Sequence, residues 1–284
     1  GVRFLFACES GSRAWGFASP DSDYDVRFVY CPVPAQYLSI LEPADGIEVP
    51  IQDVLDCSGW DLRKALRLLR KSNAAIFEWL QSPIVYRDTG LQARLLPIAL
   101  VAFRPGPALA HDVGMARGTW LRECSGAEVA LKKYFYVLRP ILAARWIAAR
   151  DSLPPMEFDP LLAAAALPED LLGVIADVRR RKAAEVERAP VPRIAALDTF
   201  LAAELETMAK VVLPAHEPAD VAKFDDAFQD LAGLRAALLR AESPALPPTP
   251  PPGTEFAARF AIGLGTLRHW ERGDRTPRGT ALVL

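Results

Sequence analysis

The sequence predicts an α+β fold, because short strand patterns fill its first part and helical patterns most of the rest. Val2–Ala7 is a short apolar run, and Asp25–Tyr30 alternates and is rich in β-branched and aromatic residues; both patterns are typical of strands. From about residue 107 onward, apolar residues recur at helical spacing. A proline-rich stretch at 243–253 then separates a short final segment from the rest.

Composition excludes several classes of protein. The chain has 284 residues, 51% of them hydrophobic, and a formal net charge of −2, so it is not a polyanion binder as a whole. Its four cysteines contain no C-x-x-C pair, which argues against a zinc site and for reduced thiols. No apolar run reaches the ~18 residues of a membrane span, and no signal peptide is visible. We therefore expect a cytoplasmic protein with no membrane partner. The start at Gly1, directly before a strand, leaves open whether the natural N-terminus is included.

The elements of the first part follow in order. The first strand ends in a tight turn at Ser10–Ser12, and a short helix is predicted to begin at Arg13. Further strand is predicted at Ile47–Ile51 and Val54–Asp56, and Trp60–Arg70 has the spacing of an amphipathic helix.

Four longer helical patterns occupy the later part: 132–150, where Pro140 is expected to bend the helix or mark a boundary, 161–186, 198–212, capped by Asp198 or Thr199, and 225–241. These patterns predict a catalytic domain at 1–106, a helical domain at 107–215, a helix with a Pro-rich linker at 216–252, and a helix-turn-helix at 253–284.

A glycine-serine turn followed by paired aspartates indicates a site that binds phosphate and a metal ion. Gly11 permits close approach of a phosphate, and the hydroxyl of Ser12 and the amides of the next helix favour an anion. Asp23 and Asp25 stand two positions apart, so in a strand their carboxylates share a face and can bind Mg²⁺ or Mn²⁺. Phosphoryl transfer needs this arrangement, since its catalysis is mainly positioning and metal electrostatics.

The segment from Gly11-Ser12 to Asp23-x-Asp25 resembles the nucleotidyltransferase motif of the DNA polymerase beta superfamily. The strings at 9–17, 59–66, 132–140 and 154–158 are similar to a bacterial and phage branch named the RNA repair pathway DNA polymerase beta family. The resemblance covers about residues 1 to 210 and implies a mixed sheet with flanking helices, an NTP substrate such as ATP, and a third carboxylate on a later strand. Asp56 is our choice for that acid, and Asp53 and Glu48 are the alternatives; for Asp56 itself, a helix N-terminal acid is the structural alternative.

Basic residues are candidates for nucleotide binding. Arg13 follows the glycine-serine turn and is predicted to contact the triphosphate, with a surface arginine as the alternative. Lys132, Tyr136 and Arg139 fall on one helical face and suit a triphosphate and a stacked base. A structural cluster of cations and aromatics is the alternative for these three residues.

The last segment resembles a repressor-like helix-turn-helix. Thr254–Phe260 and Gly265–Gly273 are predicted as its two helices. The resemblance places Thr266, Arg268 and His269 on the recognition helix and Arg272 near phosphates, which implies DNA binding through 253–284. A remnant or an interaction tail is the alternative.

Two functions from different classes follow. The first is an enzyme that transfers a nucleoside monophosphate from an NTP to a hydroxyl of an RNA end, a protein or a small molecule. The second is a DNA-binding regulator of toxin–antitoxin type with an inactive enzyme-like domain. The intact Asp-x-Asp with its Gly-Ser favours the enzyme.

Overall fold

The computed structural model describes residues 1–20, 22–52, 54–184 and 190–233. The Pro-rich stretch and the predicted helix-turn-helix, with Thr266, Arg268, His269 and Arg272, lie outside these ranges, so DNA binding stays a prediction. Within them, the predicted α+β class is confirmed as a mixed sheet with flanking helices. No helix of this described part is long and apolar enough to cross a membrane.

The sheet has five strands in the order β3-β4-β2-β1-β5. All neighbours are antiparallel except β2 and β4, which run parallel. Each of the four strands predicted from the sequence is found and is longer than predicted, and β5 was not predicted. The strands are β1 (Val2–Ser10), β2 (Tyr24–Pro32), β3 (Gly46–Gln52), β4 (Leu55–Asp61) and β5 (Val85–Asp88).

Helices cover one face of this sheet and build its core. The buried side chains of β1 and β2 pack there against α3, α4, α5 and α11. The opposite face carries a smaller apolar cluster that includes Phe28 and Tyr86. The helices of this part are α1 (Gly11–Trp15), α2 (Pro34–Tyr37), α3 (Leu62–Arg70), α4 (Ala74–Gln81), α5 (Leu91–Ala102) and α11 (Val221–Ala232).

The helix predicted to begin at Trp60 begins at Leu62 instead, because Trp60 and Asp61 still belong to β4. Asp61 is its N-cap, and its carboxylate accepts hydrogen bonds from the backbone N–H groups of Arg63 (2.8 Å) and Lys64 (3.4 Å). The helix-capping role that was the alternative for Asp56 therefore belongs to Asp61.

The second part consists of packed helices and a small pair of strands. Pro140 neither ends nor divides α7, which continues through a buried stretch on both sides of the proline. The predicted helix at 161–186 is split into two, and Ala166 between them has a φ of +48°. The elements are α6 (Pro105–Glu123), β6 (Glu128–Ala130), α7 (Leu131–Arg150), α8 (Phe158–Ala164), α9 (Glu169–Ala184), β7 (Pro190–Pro192) and α10 (Ala195–Met208).

The predicted cap of α10 is also corrected. The helix begins at Ala195, so Asp198 lies in its first turn. The Asp198 carboxylate binds the guanidinium of Arg193 at 2.8 Å and accepts a hydrogen bond from the Tyr134 hydroxyl at 2.9 Å. Tertiary partners thus use the carboxylate that the sequence assigned to a cap.

The segment after α1 joins the two parts. Phe17 is buried in the core of the helical part, where its ring stacks on Phe135 at 5.0 Å and meets Phe158 edge-on at 5.6 Å. The chain between the glycine-serine turn and β2 is therefore clamped by helices that come much later in the sequence.

Candidate active site

The glycine-serine turn lies directly against the second predicted aspartate. Strand β1 ends at Ser10, and Gly11 begins α1 with a φ of +62°. A Cβ at Gly11 would fall 2.1 Å from Oδ2 of Asp25, closer than any real contact. Glycine is therefore required here both for its backbone conformation and for space. The buried Ser12 follows in the first turn of α1.

Two carboxylates meet on neighbouring strands beside this turn. In the sheet register, Asp25 on β2 is paired with Ser10 on β1 and with Asp56 on β4. Directly paired residues point to the same face of a sheet, so the two acids stand side by side. Their side chains are 24% and 36% exposed, which leaves both accessible to a ligand. Asp23 lies one residue before β2 and is exposed.

The alternatives for the third acid have different positions. Glu48 is exposed on the edge strand β3 and pairs with Ser58 of β4, so it lies one strand further from Asp25. Asp53 lies outside the described residues. Of the described candidates, Asp56 is the one in register with Asp25.

Arg27 links the two acids and was missed by the sequence analysis. Its Nη2 lies 3.3 Å from Oδ1 of Asp25 and 2.8 Å from Oδ2 of Asp56. Its Nη1 donates to the backbone carbonyls of Val26 and Asp56, both at 3.1 Å. Arg27 stands two positions after Asp25, so strand alternation could have indicated its place on the same face.

The buried carboxyl of Glu9 also binds the backbone of Asp25. Glu9 is fully buried, and its Oε1 accepts a hydrogen bond of 2.8 Å from the backbone N–H of Asp25. The Tyr86 hydroxyl donates to Oε2 of the same carboxyl. Burial raises the pKa of Glu9 to about 7, and the Tyr86 and Asp25 hydrogen bonds oppose this rise. This role could not be predicted from the sequence, because a Glu at a strand end is usually exposed.

The loop that leads to Asp23 is held from two sides. The guanidinium of Arg13 lies 3.8 Å from the centroid of the Tyr24 ring and donates to the backbone carbonyls of Ser22 (2.6 Å) and Asp23 (3.2 Å). From α9, the buried Lys182 donates to the Phe17 carbonyl at 2.9 Å and lies 3.2 Å from Oγ of Ser19. Arg13 thus holds the end of the loop near Asp23, and Lys182 holds its start against the helical part.

The predicted basic face of α7 packs beside α1 through a contact between Tyr136 and Trp15. The rings of Trp15 and Tyr136 meet edge-on at 5.5 Å, and Lys132 lies one turn earlier on the same face of α7. Both Lys132 and Tyr136 are half-buried. The structure therefore brings this face of α7 beside α1.

Arg139 requires a correction. It is 2% exposed, its Nη1 lies 2.7 Å from Oε1 of Glu78, and its Nε donates to the Met156 carbonyl at 3.0 Å. Its guanidinium also lies 4.8 Å from the ring centroid of Trp15, whose Nε1 donates to Glu78 at 3.2 Å. A guanidinium enclosed in this way does not face a nucleotide. Burial and these partners support the structural alternative for Arg139.

The acids fit a divalent cation in part. Within the described ranges, no three His, Cys, Asp or Glu side chains converge into a ready metal centre. Asp25 and Asp56 do converge, however, and the group they share is a cation, the Arg27 guanidinium. Carboxylate oxygens are also the ligands that Mg²⁺ prefers. The pair therefore has the charge and donor type that a magnesium ion requires.

Comparison with known proteins identifies the family of this chain. A protein of Bacillus subtilis (strain 168) called "Uncharacterized protein YcgL" is 45% identical over 207 residues, which are 72% of this chain and 80% of that protein. Residues 1–230 match the RNA repair pathway DNA polymerase beta family, and this match includes the turn at Gly11, both paired acids and the helical part. The chain therefore belongs to the RNA repair pathway DNA polymerase beta family.

Proposed function

We propose that this chain is a metal-dependent nucleotidyltransferase that moves a nucleoside monophosphate from an NTP to a hydroxyl acceptor and releases pyrophosphate. The observation that carries the proposal is the contact of Gly11 with Asp25, together with the register of Asp25 and Asp56 on parallel strands. Family membership supports the reaction class.

The reaction balances without a covalent intermediate on the protein. The acceptor oxygen attacks the α-phosphorus of the NTP, the bond from that phosphorus to the bridging oxygen breaks, and pyrophosphate leaves. The carboxylates of Asp23, Asp25 and Asp56 would hold Mg²⁺ or Mn²⁺, which supplies charge neutralisation on the phosphates and a more acidic acceptor hydroxyl. Asp56 lies beside Asp25 and would receive the acceptor proton.

The phosphates would lie at the turn. Gly11 leaves room beside the turn for the Asp25 carboxylate, and Ser12 follows in the first turn of α1, whose leading N–H groups have no acceptor within the helix. Arg13 keeps the Asp23 loop in place. Lys132 and Tyr136 lie on the face of α7 that packs beside α1, where they would contact the triphosphate and the base.

An RNA end with a free 3′-hydroxyl is the first acceptor to test, because the family's description names an RNA repair pathway. Each of the four NTPs, labelled on its α-phosphate, is incubated with Mg²⁺, the full chain and a short RNA. We expect label on the RNA and release of pyrophosphate with at least one NTP. A second RNA with a blocked 3′ end is expected to stay unlabelled, and label on the protein itself would identify a protein acceptor.

Asp25→Asn and Asp56→Asn are the decisive variants, and Asp45→Asn is the matched control. Asp45 is an exposed acid that pairs with Lys64 at 2.9 Å. Loss of a carboxylate that holds the metal should lower the rate roughly 100-fold or more. Asp45→Asn should retain the wild-type rate. Equal pyrophosphate release by wild type and both site variants, or none from wild type with any NTP, would contradict the proposed reaction.

A further inference from the structure

Arg27 occupies the place where the two acids of the candidate site converge. Its guanidinium has four close partners: Oδ1 of Asp25, Oδ2 of Asp56, and the backbone carbonyls of Val26 and Asp56. The Arg27 side chain is 19% exposed, so these partners replace most of its water. The arginine is thus built into the site rather than lying across its surface.

The acids need a positive charge between them. Asp25 and Asp56 are directly in register on neighbouring parallel strands, where two like charges destabilise the sheet. A guanidinium keeps its charge at every physiological pH. Nη2 of Arg27 reaches both carboxylates, and it therefore offsets their repulsion when no metal ion is bound.

A divalent cation would need the same carboxylates. Coordination places a cation about 2.0–2.6 Å from carboxylate oxygens, and two positive groups that share those oxygens repel each other. We propose that Arg27 is a resident counter-ion of the site, which holds Asp25 and Asp56 together without a metal and is displaced from at least one of them when a divalent cation binds. This inference rests on the metal binding in the proposed function but does not depend on transfer activity.

The test measures Mn²⁺ binding to the nucleotide-free full chain, by the electron paramagnetic resonance signal of free Mn²⁺. Removing the competing charge in Arg27→Gln should tighten Mn²⁺ binding roughly fivefold, which is the range expected when partly exposed ion pairs no longer compete. Arg27→Lys keeps the charge but loses the fork of donors, and its affinity should lie between those of wild type and Arg27→Gln.

Arg94→Gln is the matched control, because it removes one arginine charge from an exposed pair with Asp230 in which the two side chains are 45% and 41% exposed. It should bind Mn²⁺ like wild type. Equal or weaker binding by Arg27→Gln, or no measurable binding by wild type and both Arg27 variants, would overturn the inference. If Arg27→Gln does not fold, Arg27→Lys is sufficient for the test. An Mn²⁺ affinity of Arg27→Lys no higher than that of wild type would also overturn the inference.

Asp25→Asn and Asp56→Asn, each combined with Arg27→Gln, test whether the gain in affinity arises at the candidate site. They should abolish the gain in affinity, because the gain depends on both carboxylates. A gain that survives both substitutions would place the Mn²⁺ elsewhere and overturn the inference. If the affinity rises as expected while no NTP is turned over, the counter-ion role stands and the transferase proposal fails.

Discussion

Gly11 and Asp25 are in direct contact: a Cβ at residue 11 would fall 2.1 Å from the carboxylate oxygen Oδ2 of residue 25. The two residues are fourteen positions apart in the sequence, and their contact depends on the antiparallel pairing of Ser10 with Asp25. The turn that would hold the phosphates and the acid that would hold the metal are therefore fixed to one another. Any side chain at residue 11 must move one of them.

Gly11→Ala should abolish transfer, because the new methyl group displaces the Asp25 carboxylate. Gly16→Ala is the control, since Gly16 has a φ of +89° but open space around the site of a Cβ. Both variants should lose about 1–2 kcal/mol of stability from the positive φ, and Gly11→Ala more because of the clash. Thermal melting and pyrophosphate release check this. Activity retained by Gly11→Ala would mean that the contact does not matter.

Substitution of Asp56 should affect activity, whereas substitution of Asp61 should affect stability. Asp56→Asn should eliminate transfer with little change in unfolding free energy. Asp61→Ala should cost about 1–2 kcal/mol, because it removes the cap of α3 and a partner of the buried Tyr37 hydroxyl, yet its folded fraction should remain active. Urea unfolding and initial rates give both quantities. The reverse pattern would assign the third-acid role to Asp61 instead of Asp56.

Lys182 should hold the loop before Asp23 in its folded position. In Lys182→Met the buried Phe17 carbonyl loses its donor, which should cost about 1–3 kcal/mol and speed hydrogen exchange at 16–20. Arg180→Met is the control, because Arg180 is 80% exposed and pairs within α9 with Asp177. Unchanged exchange in Lys182→Met would show that the loop is held by other contacts.

Arg139 should behave as a structural residue. Glu78→Gln leaves its buried guanidinium without a charged partner, so we expect a loss of about 3–5 kcal/mol. The double variant Glu78→Gln/Arg139→Met should be more stable than the sum of the single effects predicts. The KM for NTP in the folded fraction of Arg139→Met should match wild type. A KM raised tenfold or more would restore the predicted role in nucleotide binding.

Asp112 should make stability fall as the pH rises. Burial raises its pKa above the ordinary value of 3.8, so folding favours the protonated carboxyl. The contribution of Asp112 to the free energy of unfolding is fully present below pH 3.8 and is lost as the pH rises through the raised pKa. The neighbouring His111 acts in the same direction, because its Nδ1 lies 3.5 Å from Oδ1 of Asp112 and this interaction raises the pKa of His111. Urea unfolding between pH 5 and pH 8 should show a shallower decline in Asp112→Asn than in wild type; parallel declines would contradict this.

Local patterns in the sequence were sufficient for most elements. Alternation in Asp25–Tyr30 and the apolar run at Val2–Ala7 indicated strands that the structure confirms. Helix starts were predicted less well, because α3 begins after Asp61 rather than at Trp60, and α10 begins after Ile194 rather than at Asp198 or Thr199. A carboxylate can serve a cap or a distant partner equally well, and the sequence shows only the first possibility.

By itself, the sequence determined the glycine at the turn and the spacing of Asp23 and Asp25, since both are local features. The family resemblance implied a third acid and left Asp56, Asp53 and Glu48 as candidates, and the sheet register is what sets Asp56 beside Asp25. Only the tertiary structure decided that Arg27 bridges two acids, that Glu9 accepts a hydrogen bond from the backbone of Asp25, and that Arg139 is buried with Glu78. Those relationships depend on strand order, on sheet register and on the packing of α7 against α1 and α4. Each of these is set by burial of apolar surface from the whole chain, which no short window of sequence contains.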